Sequence, residues 1–142
     1  MAEGLAREIL GSKFVIKSAG SQPSNLVHPN AIWAMDQVGI DIREHFTKSI
    51  DDIDKEFIDN LDIVITLCSE EICPVLNNNV KKIHWMNEDP ANKNLSDEQS
   101  KIVFTKVRDN LYNLIKKFFL LNAWMNFFLK DVKETFCPKT LF

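Results

Sequence analysis

Apolar residues along the chain recur mainly at helical spacing, interrupted by short runs that are typical of strands. Helices are predicted over residues 2–10, 30–38, 49–60 and 96–118. Gly11 is expected to end the first of these helices and Gly39 the second, and Pro29 precedes the second helix. The last helix has the most regular pattern, because Ser96 and Gln99 form a capping box ahead of a long apolar stripe.

Three shorter runs predict strands. Residues 14–19 (FVIKSA) and 82–85 are rich in strand-forming types, and residues 63–67 (IVITL) form an unbroken apolar run. A run without polar alternation indicates a strand that is buried on both faces of a parallel sheet. Strands that alternate with helices predict an α/β doubly wound domain, whose ligand site lies beyond the carboxyl ends of the strands.

Composition and charge limit the number of domains, the partners and the location that can be expected for this chain. The chain has 142 residues, a formal net charge of -3 and a pI of about 5.6, which fits one domain and offers no broad basic face for nucleic acid. The first residues include Glu3 and lack a secretory signal, so a cytoplasmic location is expected. The apolar run at 118–129 is too short to cross a bilayer, and its ordinary interpretation is a continuation of the long helix.

Two of the three cysteines directly follow the predicted buried strand. Cys68 stands at its carboxyl end, and Cys73 comes five residues later. In a reducing compartment these are free thiols, metal ligands or redox groups. A disulfide between them requires Cα atoms within about 7 Å, so an intact helical turn between them would have to unwind. A zinc site with His84 lacks a fourth ligand at a recognisable spacing, and no role is expected for Cys137.

A carboxylate follows the next predicted strand. Asp89 lies in the sequence Glu-Asp-Pro, in a loop that is expected at the same edge of the sheet. It could donate a proton if it were partly desolvated. A simple Asp-Pro turn explains the same residues equally well.

Several short segments match one known family in order and at similar spacing. They are MAEG at the start, SAG at 18–20, HPNA at 28–31, VGIDI at 38–42, ITLC at 65–68, and HW at 84–85 followed by DPA at 89–91. On these segments the chain is identified as a member of the thioredoxin-coupled arsenate reductase family, in the low-molecular-weight tyrosine phosphatase superfamily. The resemblance covers residues 1–118 and leaves 119–142 as a C-terminal extension.

The resemblance implies a phosphatase-like parallel sheet flanked by helices and a relay of three cysteines that reduces arsenate to arsenite. Cys68 matches the second cysteine of the relay, Cys73 the third, and Asp89 the acid that assists the first step. Thioredoxin reduces the final disulfide, and no tightly bound cofactor or metal is implied.

Three further residues match a potassium site that steadies the oxyanion loop in some members. Glu3 and Ser18 occupy two of its positions, and Lys48 stands where those members have an acid. A lysine ammonium there could replace the potassium ion, although an exposed loop lysine is the ordinary interpretation.

The nucleophile of the family is absent from this chain. No cysteine is followed six positions later by an arginine, so the loop that would hold the oxyanion is missing. In the family this loop and the first strand, central in the sheet, precede MAEG, so an N-terminal truncation is expected. Activity should then be lost, and the strands around Val15 and Val64 should lack a shared neighbour. A tyrosine phosphatase and a non-catalytic binding or scaffold remnant are the alternative functions.

Overall fold

The computed structural model describes residues 1–67, 80–128 and 139–141, which contain an α/β arrangement as predicted. Its helices are α1 (Ala2–Leu10), α2 (Pro29–Asp36), α3 (Lys55–Asp59) and α4 (Asp97–Phe128). Its strands are β1 (Val15–Lys17), β2 (Ile63–Thr66), β3 (Lys81–His84) and β4 (Lys139–Leu141). Short 3-10 helices span Gly11–Lys13 and Ile50–Asp52.

The helix ends follow the local signals in the sequence. The capping box that precedes α4 forms, with the Gln99 backbone N–H donating to Ser96 Oγ at 3.2 Å. His28 Nδ1 accepts from the Asn30 backbone N–H at 3.1 Å and caps α2, with Pro29 in the first helical position. Gly39 has a φ of 74°, which a side chain would disfavour, and it closes the turn after α2.

The prediction of a single helix over 49–60 is wrong. Ser49 and Asp52 form a capping box around one 3-10 turn, and Ile53 then adopts an extended conformation with ψ 135°. This break buries Ile53 in a small cluster with Phe57, Leu61 and Val64. The apolar contact therefore overrides helical continuity, and α3 starts anew after Asp54.

The sheet is parallel throughout, in the order β1-β4-β2-β3. Strand β4 lies between the two strands that the sequence leaves without a shared neighbour, so the expectation of unpaired edges is wrong. Val15 pairs with Lys139, and Val64 pairs with Leu141. Residues from the C-terminal extension thus occupy the middle of the sheet. The domain boundary at residue 118 stays a prediction, although α4 runs across it.

Strand β2 is buried on both faces, as its apolar run predicts. Ile63 and Ile65 pack into the main core with residues of α1, α2 and α4, whereas Val64 faces the smaller cluster beside α3. The carboxyl ends of all strands meet at one edge because the strands are parallel. Among the described residues, no helix is long and apolar enough to cross a membrane.

Candidate functional site

A buried carboxylate joins α1 to the carboxyl end of β1. Glu3 is only 6% exposed, and its Oε2 accepts from Ser18 Oγ at 2.5 Å and from Lys48 Nζ at 3.5 Å. Its Oε1 is 2.7 Å from an Arg7 guanidinium nitrogen. The three residues that the resemblance groups as an ion site therefore lie together, while their role in binding stays a prediction.

The charges in this cluster offset the cost of burying the Glu3 carboxylate. Burial by itself would raise the pKa of Glu3, but the Ser18 hydrogen bond and the positive charges of Lys48 and Arg7 outweigh it, leaving that pKa below its ordinary value. Burial lowers the pKa of the neighbouring His45, with contributions from nearby positive charges. The cluster thus favours an ionised Glu3 beside a neutral His45.

Lys48 makes contacts through both its ammonium group and its backbone. Its side chain is 13% exposed, its Nζ donates to the Phe46 carbonyl oxygen at 3.4 Å, and it lies 4.5 Å from the centroid of the Phe46 ring. The Gly20 backbone N–H donates to the Lys48 carbonyl oxygen at 3.1 Å and links the SAG segment to this loop. Lys48 is therefore a fixed part of the cluster, and the interpretation as an exposed loop lysine is wrong.

A cavity of about 280 Å³ opens beside the cluster. Glu3, Ser18 and Lys48 contribute to its wall, together with His45. Two further lining residues, Leu26 and Phe46, are 79% and 69% exposed. The cavity therefore combines a paired carboxylate at its wall with apolar side chains that face solvent.

All three arginines of the chain have partners within the protein. Arg7 also donates to the Ile16 carbonyl oxygen at 3.1 Å, which ties α1 to β1. Arg43 pairs with Asp41 at 2.8 Å on the surface. Arg108 is buried and donates to the Ala34 carbonyl oxygen at 2.8 Å. None of them replaces the anion-clamping arginine that the sequence lacks.

The loop after β3 carries the predicted acid. The Asn87 backbone N–H donates to the Leu67 carbonyl oxygen at 3.0 Å, so this loop starts beside the residue that precedes Cys68. Asp89 is exposed, and its Oδ1 accepts from the Ala91 backbone N–H at 2.9 Å. This geometry is the turn that the sequence offers as the alternative interpretation, and the catalytic role of Asp89 stays a prediction.

Cys68 and Cys73, which the resemblance assigns to the relay, lie outside the described residues, as does Cys137, for which no role is expected. Within the described part of the chain, no group of three or more potential metal ligands occurs. His84, the third residue of the rejected zinc site, has its Nδ1 2.8 Å from Thr66 Oγ1. This contact joins the carboxyl ends of β2 and β3.

Three contacts made by residues of the matched motifs could not be predicted from the sequence. Asn30, in HPNA, is buried and donates to Ser100 Oγ at 3.0 Å and to Asp97 Oδ1 at 3.1 Å, which locks α2 to the start of α4. Gly4, in MAEG, leaves room for a neighbour, since a Cβ there would lie 2.7 Å from Ile42 Cγ2. The family motifs indicate that Asn30 and Gly4 matter, but they do not identify the residues that these two contact, which are distant in sequence.

The model of the low molecular weight phosphotyrosine protein phosphatase family matches residues 1–133. The chain belongs to this family. Among its relatives, arsenate reductase 2 of Staphylococcus saprophyticus is 45% identical over 121 residues, which cover 84% of this chain and 85% of the relative. The arsenate reductases of Halalkalibacterium halodurans and Bacillus subtilis are each 39% identical over 120 residues, or 83% of this chain and 84% of each relative.

Solved structures of arsenate reductases are similar to this chain in fold. An arsenate reductase in the phosphate binding state aligns with a TM-score of 0.68 at 31% identity, covering 84% of this chain and 86% of that one. An arsenate reductase in the oxidized state aligns with a TM-score of 0.63 at 30% identity, covering 82% of each chain. The predicted family and fold class are therefore confirmed.

Proposed function

We propose that this protein is of the arsenate reductase type and acts in the cytoplasm, with arsenate as oxyanion substrate and thioredoxin as reductant. The observation that carries the proposal is the 45% identity to an arsenate reductase over 84% of the chain. The segments ITLC at 65–68 and DPA at 89–91, which carry Cys68 and Asp89, lie within the residues 1–133 that the family model matches. The cysteine pair disfavours a plain tyrosine phosphatase, whose reaction needs no electrons.

The proposed reaction moves one electron pair from sulfur to arsenic. The thiolate of a Cys-x5-Arg loop, which these 142 residues do not contain, would displace an oxygen of arsenate, and Asp89 would protonate the departing oxygen. Cys68 then attacks the arsenic-bound sulfur, so that a disulfide forms and arsenic leaves as arsenite with the electron pair. Cys73 attacks Cys68 and frees the nucleophile, and two thiols of thioredoxin reduce the Cys68–Cys73 disulfide.

One contact supports the proposed proximity of the acid and the relay. Leu67 directly precedes Cys68, and its carbonyl oxygen accepts a hydrogen bond from Asn87, two residues before Asp89. The carboxyl ends of β2 and β3 thus bring the sequence neighbours of Cys68 and Asp89 together. The Asp89 side chain is exposed to solvent, so an arriving substrate could reach it.

The 142-residue polypeptide contains no Cys-x5-Arg sequence. We therefore expect no turnover when this polypeptide is incubated with arsenate, thioredoxin, thioredoxin reductase and NADPH, compared with a Cys68→Ser control. A fusion that adds a strand followed by a Cys-x5-Arg loop ahead of Ala2 should gain turnover that depends on both Cys68 and Cys73. Equal turnover of the fusion and its Cys68→Ser variant would refute the relay.

The relay can also be tested in the polypeptide as it stands. Mild oxidation followed by peptide mapping should give a Cys68–Cys73 disulfide that thioredoxin reduces. The Cys137→Ser variant should behave in the same way, whereas Cys73→Ser should lose the disulfide. A disulfide that consistently involves Cys137 would contradict the assignment of Cys73.

We also propose that Lys48 takes the place of the potassium ion. The ammonium already lies 3.5 Å from Glu3 Oε2, in a cluster where Ser18 and Arg7 supply further contacts. Thermal unfolding of the protein should then give the same midpoint in potassium and sodium chloride. Lys48→Asp should instead be stabilised specifically by potassium, and Lys55→Asp, at an exposed lysine of α3, serves as the charge-matched control. A potassium-specific stabilisation of the unchanged protein would contradict this assignment.

A further inference from the structure

The loop that carries Asp89 lies along α4 and runs in the opposite direction. Successive loop residues contact side chains that lie progressively nearer to the start of the helix. The contacts are Asn87 with Asn110 at 2.8 Å, Glu88 with Lys106 at 3.3 Å and Pro90 with Ser100 at 3.5 Å. Residues 100–110 of a helix span about 15 Å, so the loop is attached to α4 along its whole length between 87 and 90.

The contact made by Asn110 is the strongest of the three. Glu88 and Lys106 form an ion pair between side chains that are 55% and 74% exposed, and such pairs contribute little. The hydrogen bond from Ser100 is 3.5 Å long, beyond the usual range of about 2.5–3.0 Å for a hydroxyl donor. By contrast, Asn110 Nδ2 donates to Asn87 Oδ1 at an ordinary 2.8 Å, and Asn87 is half-buried. Asn110 therefore does most to hold the start of the loop.

A second contact of Asn87 fixes the direction of this hydrogen bond. Asn87 Nδ2 donates to the Trp85 carbonyl oxygen at 2.8 Å, and a carbonyl oxygen can only accept. The Asn87 amide must therefore present its oxygen to Asn110, which must donate. The Asn87 backbone N–H in turn donates to the Leu67 carbonyl oxygen at 3.0 Å. Asn87 thus connects the loop both to α4 and to the carboxyl end of β2.

The part of α4 that carries Asn110 is itself anchored in the fold. Two residues earlier, Arg108 is buried and donates to the Ala34 carbonyl oxygen at 2.8 Å. The next residue, Leu111, is 2% exposed and belongs to the main core. Because the backbone is fixed on both sides of Asn110, its side-chain amide offers the loop a fixed point of attachment.

We propose that Asn110 is a positioning residue for Asp89. It holds Asn87 beside the carboxyl end of β2, so the turn that Asp89 closes with the Ala91 backbone N–H starts from a fixed point. This inference rests on the proposed role of Asp89 as the proton donor. Since Asn110 acts only through the loop, its loss should slow the protonation step and leave the binding of the oxyanion unchanged.

Amide hydrogen exchange in the 142-residue polypeptide tests whether Asn110 holds the loop. Asn110→Asp keeps the shape of the side chain but removes the donor, and it should speed the exchange of the Asn87 and Ala91 amides about fivefold. Asn110→Gln keeps an amide donor and should stay within about twofold of the unchanged protein. Asn113→Asp, at an exposed position of the same helix, is the charge-matched control and should leave both amides unaffected.

Faster exchange that is confined to the loop would support the proposal. An unchanged rate at Ala91 in Asn110→Asp would overturn it, since the turn that contains Asp89 would then be held without Asn110. Equal acceleration at Ala91 and at Leu111, in the middle of α4, would overturn it as well, because the whole fold and not the loop would have been weakened.

A double-substitution cycle separates positioning from a general effect on stability. In the fusion that carries the Cys-x5-Arg loop, Asn110→Asp should lower kcat about fivefold and change the KM for arsenate by less than about twofold. It should have no further effect when combined with Asp89→Asn, because the group that it positions has been removed. Equal losses in the two backgrounds would contradict the proposal. If the fusion has no turnover, the proposed function fails, whereas amide exchange still decides whether Asn110 holds the loop.

Discussion

The candidate site residues at the carboxyl ends of β1 and β3 differ in their burial and in the partners that hold them. Beyond β1, Ser18 bonds to the buried Glu3, whose carboxylate is surrounded by positive charges. Beyond β3, Asp89 is exposed and closes a turn within its own loop. The first arrangement fixes a geometry inside the fold, whereas the second leaves a carboxylate available to solvent. Changes at the first should therefore act on stability, and changes at the second should leave stability almost untouched.

The largest effect is expected from Glu3→Gln. This change leaves the Lys48 ammonium, only 13% exposed, without its anionic partner, and breaking a buried ion pair costs about 3–5 kcal/mol. Urea unfolding at neutral pH and a fixed protein concentration measures the loss. Glu8→Gln, at an exposed position of the same helix, is the control and should change the unfolding free energy by less than about 0.5 kcal/mol. Similar losses for both variants would contradict a special role for the cluster.

A smaller loss, about 1–2 kcal/mol, is expected for Gly4→Ala. The added Cβ would lie 2.7 Å from Ile42 Cγ2, and Ile42 is 1% exposed, so the core would have to shift. This cost should outweigh the gain in helix propensity. Gly20→Ala is the matched control, because the nearest atom to its Cβ would be 3.9 Å away. Gly4→Ala with undiminished stability would show that α1 can move away from Ile42.

The pH dependence of stability should show two separate declines as the solution is acidified. The folded pKa of His45 is lowered, so the unfolded state binds a proton first and stability falls as pH drops below about 6.5. The folded pKa of Glu3 is also lowered, so its contribution is complete above about pH 4.3 and is lost as pH falls through the folded pKa. His45→Gln should remove the upper decline, and Glu3→Gln should reduce the lower one. Unfolding free energies measured between neutral and acidic pH test both, and two unaltered profiles would exclude these residues as the cause.

The smallest effect is expected at Asp89. Asp89→Asn retains the oxygen that accepts from Ala91, and the unfolding free energy should change by less than about 0.5 kcal/mol. The same substitution in the fusion that carries the Cys-x5-Arg loop should reduce arsenate turnover by about 10²-fold or more. A large loss of stability would mean that Asp89, like Glu3, has a structural role.

Much of the fold and part of the site could be predicted from local sequence signals. The apolar run that includes Val64 predicts the doubly buried β2, and the pair Ser96 and Gln99 predicts the start of α4. The resemblance groups Glu3, Ser18 and Lys48 from the sequence alone, and the three side chains lie together in the structure, while their role in binding stays a prediction. These signals succeed because caps, stops and buried runs depend on residues that are close in sequence.

Other features depend on contacts between distant segments. The kink at Ile53 forms because a cluster built from separate elements buries its side chain. The need for glycine at position 4 comes from Ile42, and the burial of Asn30 comes from the first turn of α4. The periodicity of the sequence does not predict such pairs, because these contacts form only when the helices and strands pack against one another.

The sequence by itself determined the alternation of helices and strands, the family motifs and the absence of a Cys-x5-Arg segment from these 142 residues. Only the tertiary structure decided that Lys139–Leu141 lies in the middle of the sheet, between β1 and β2. The reason is physical: a three-residue strand has almost no signal of its own, and its place is set by the unpaired backbone N–H and C=O groups of the two strands that accept it.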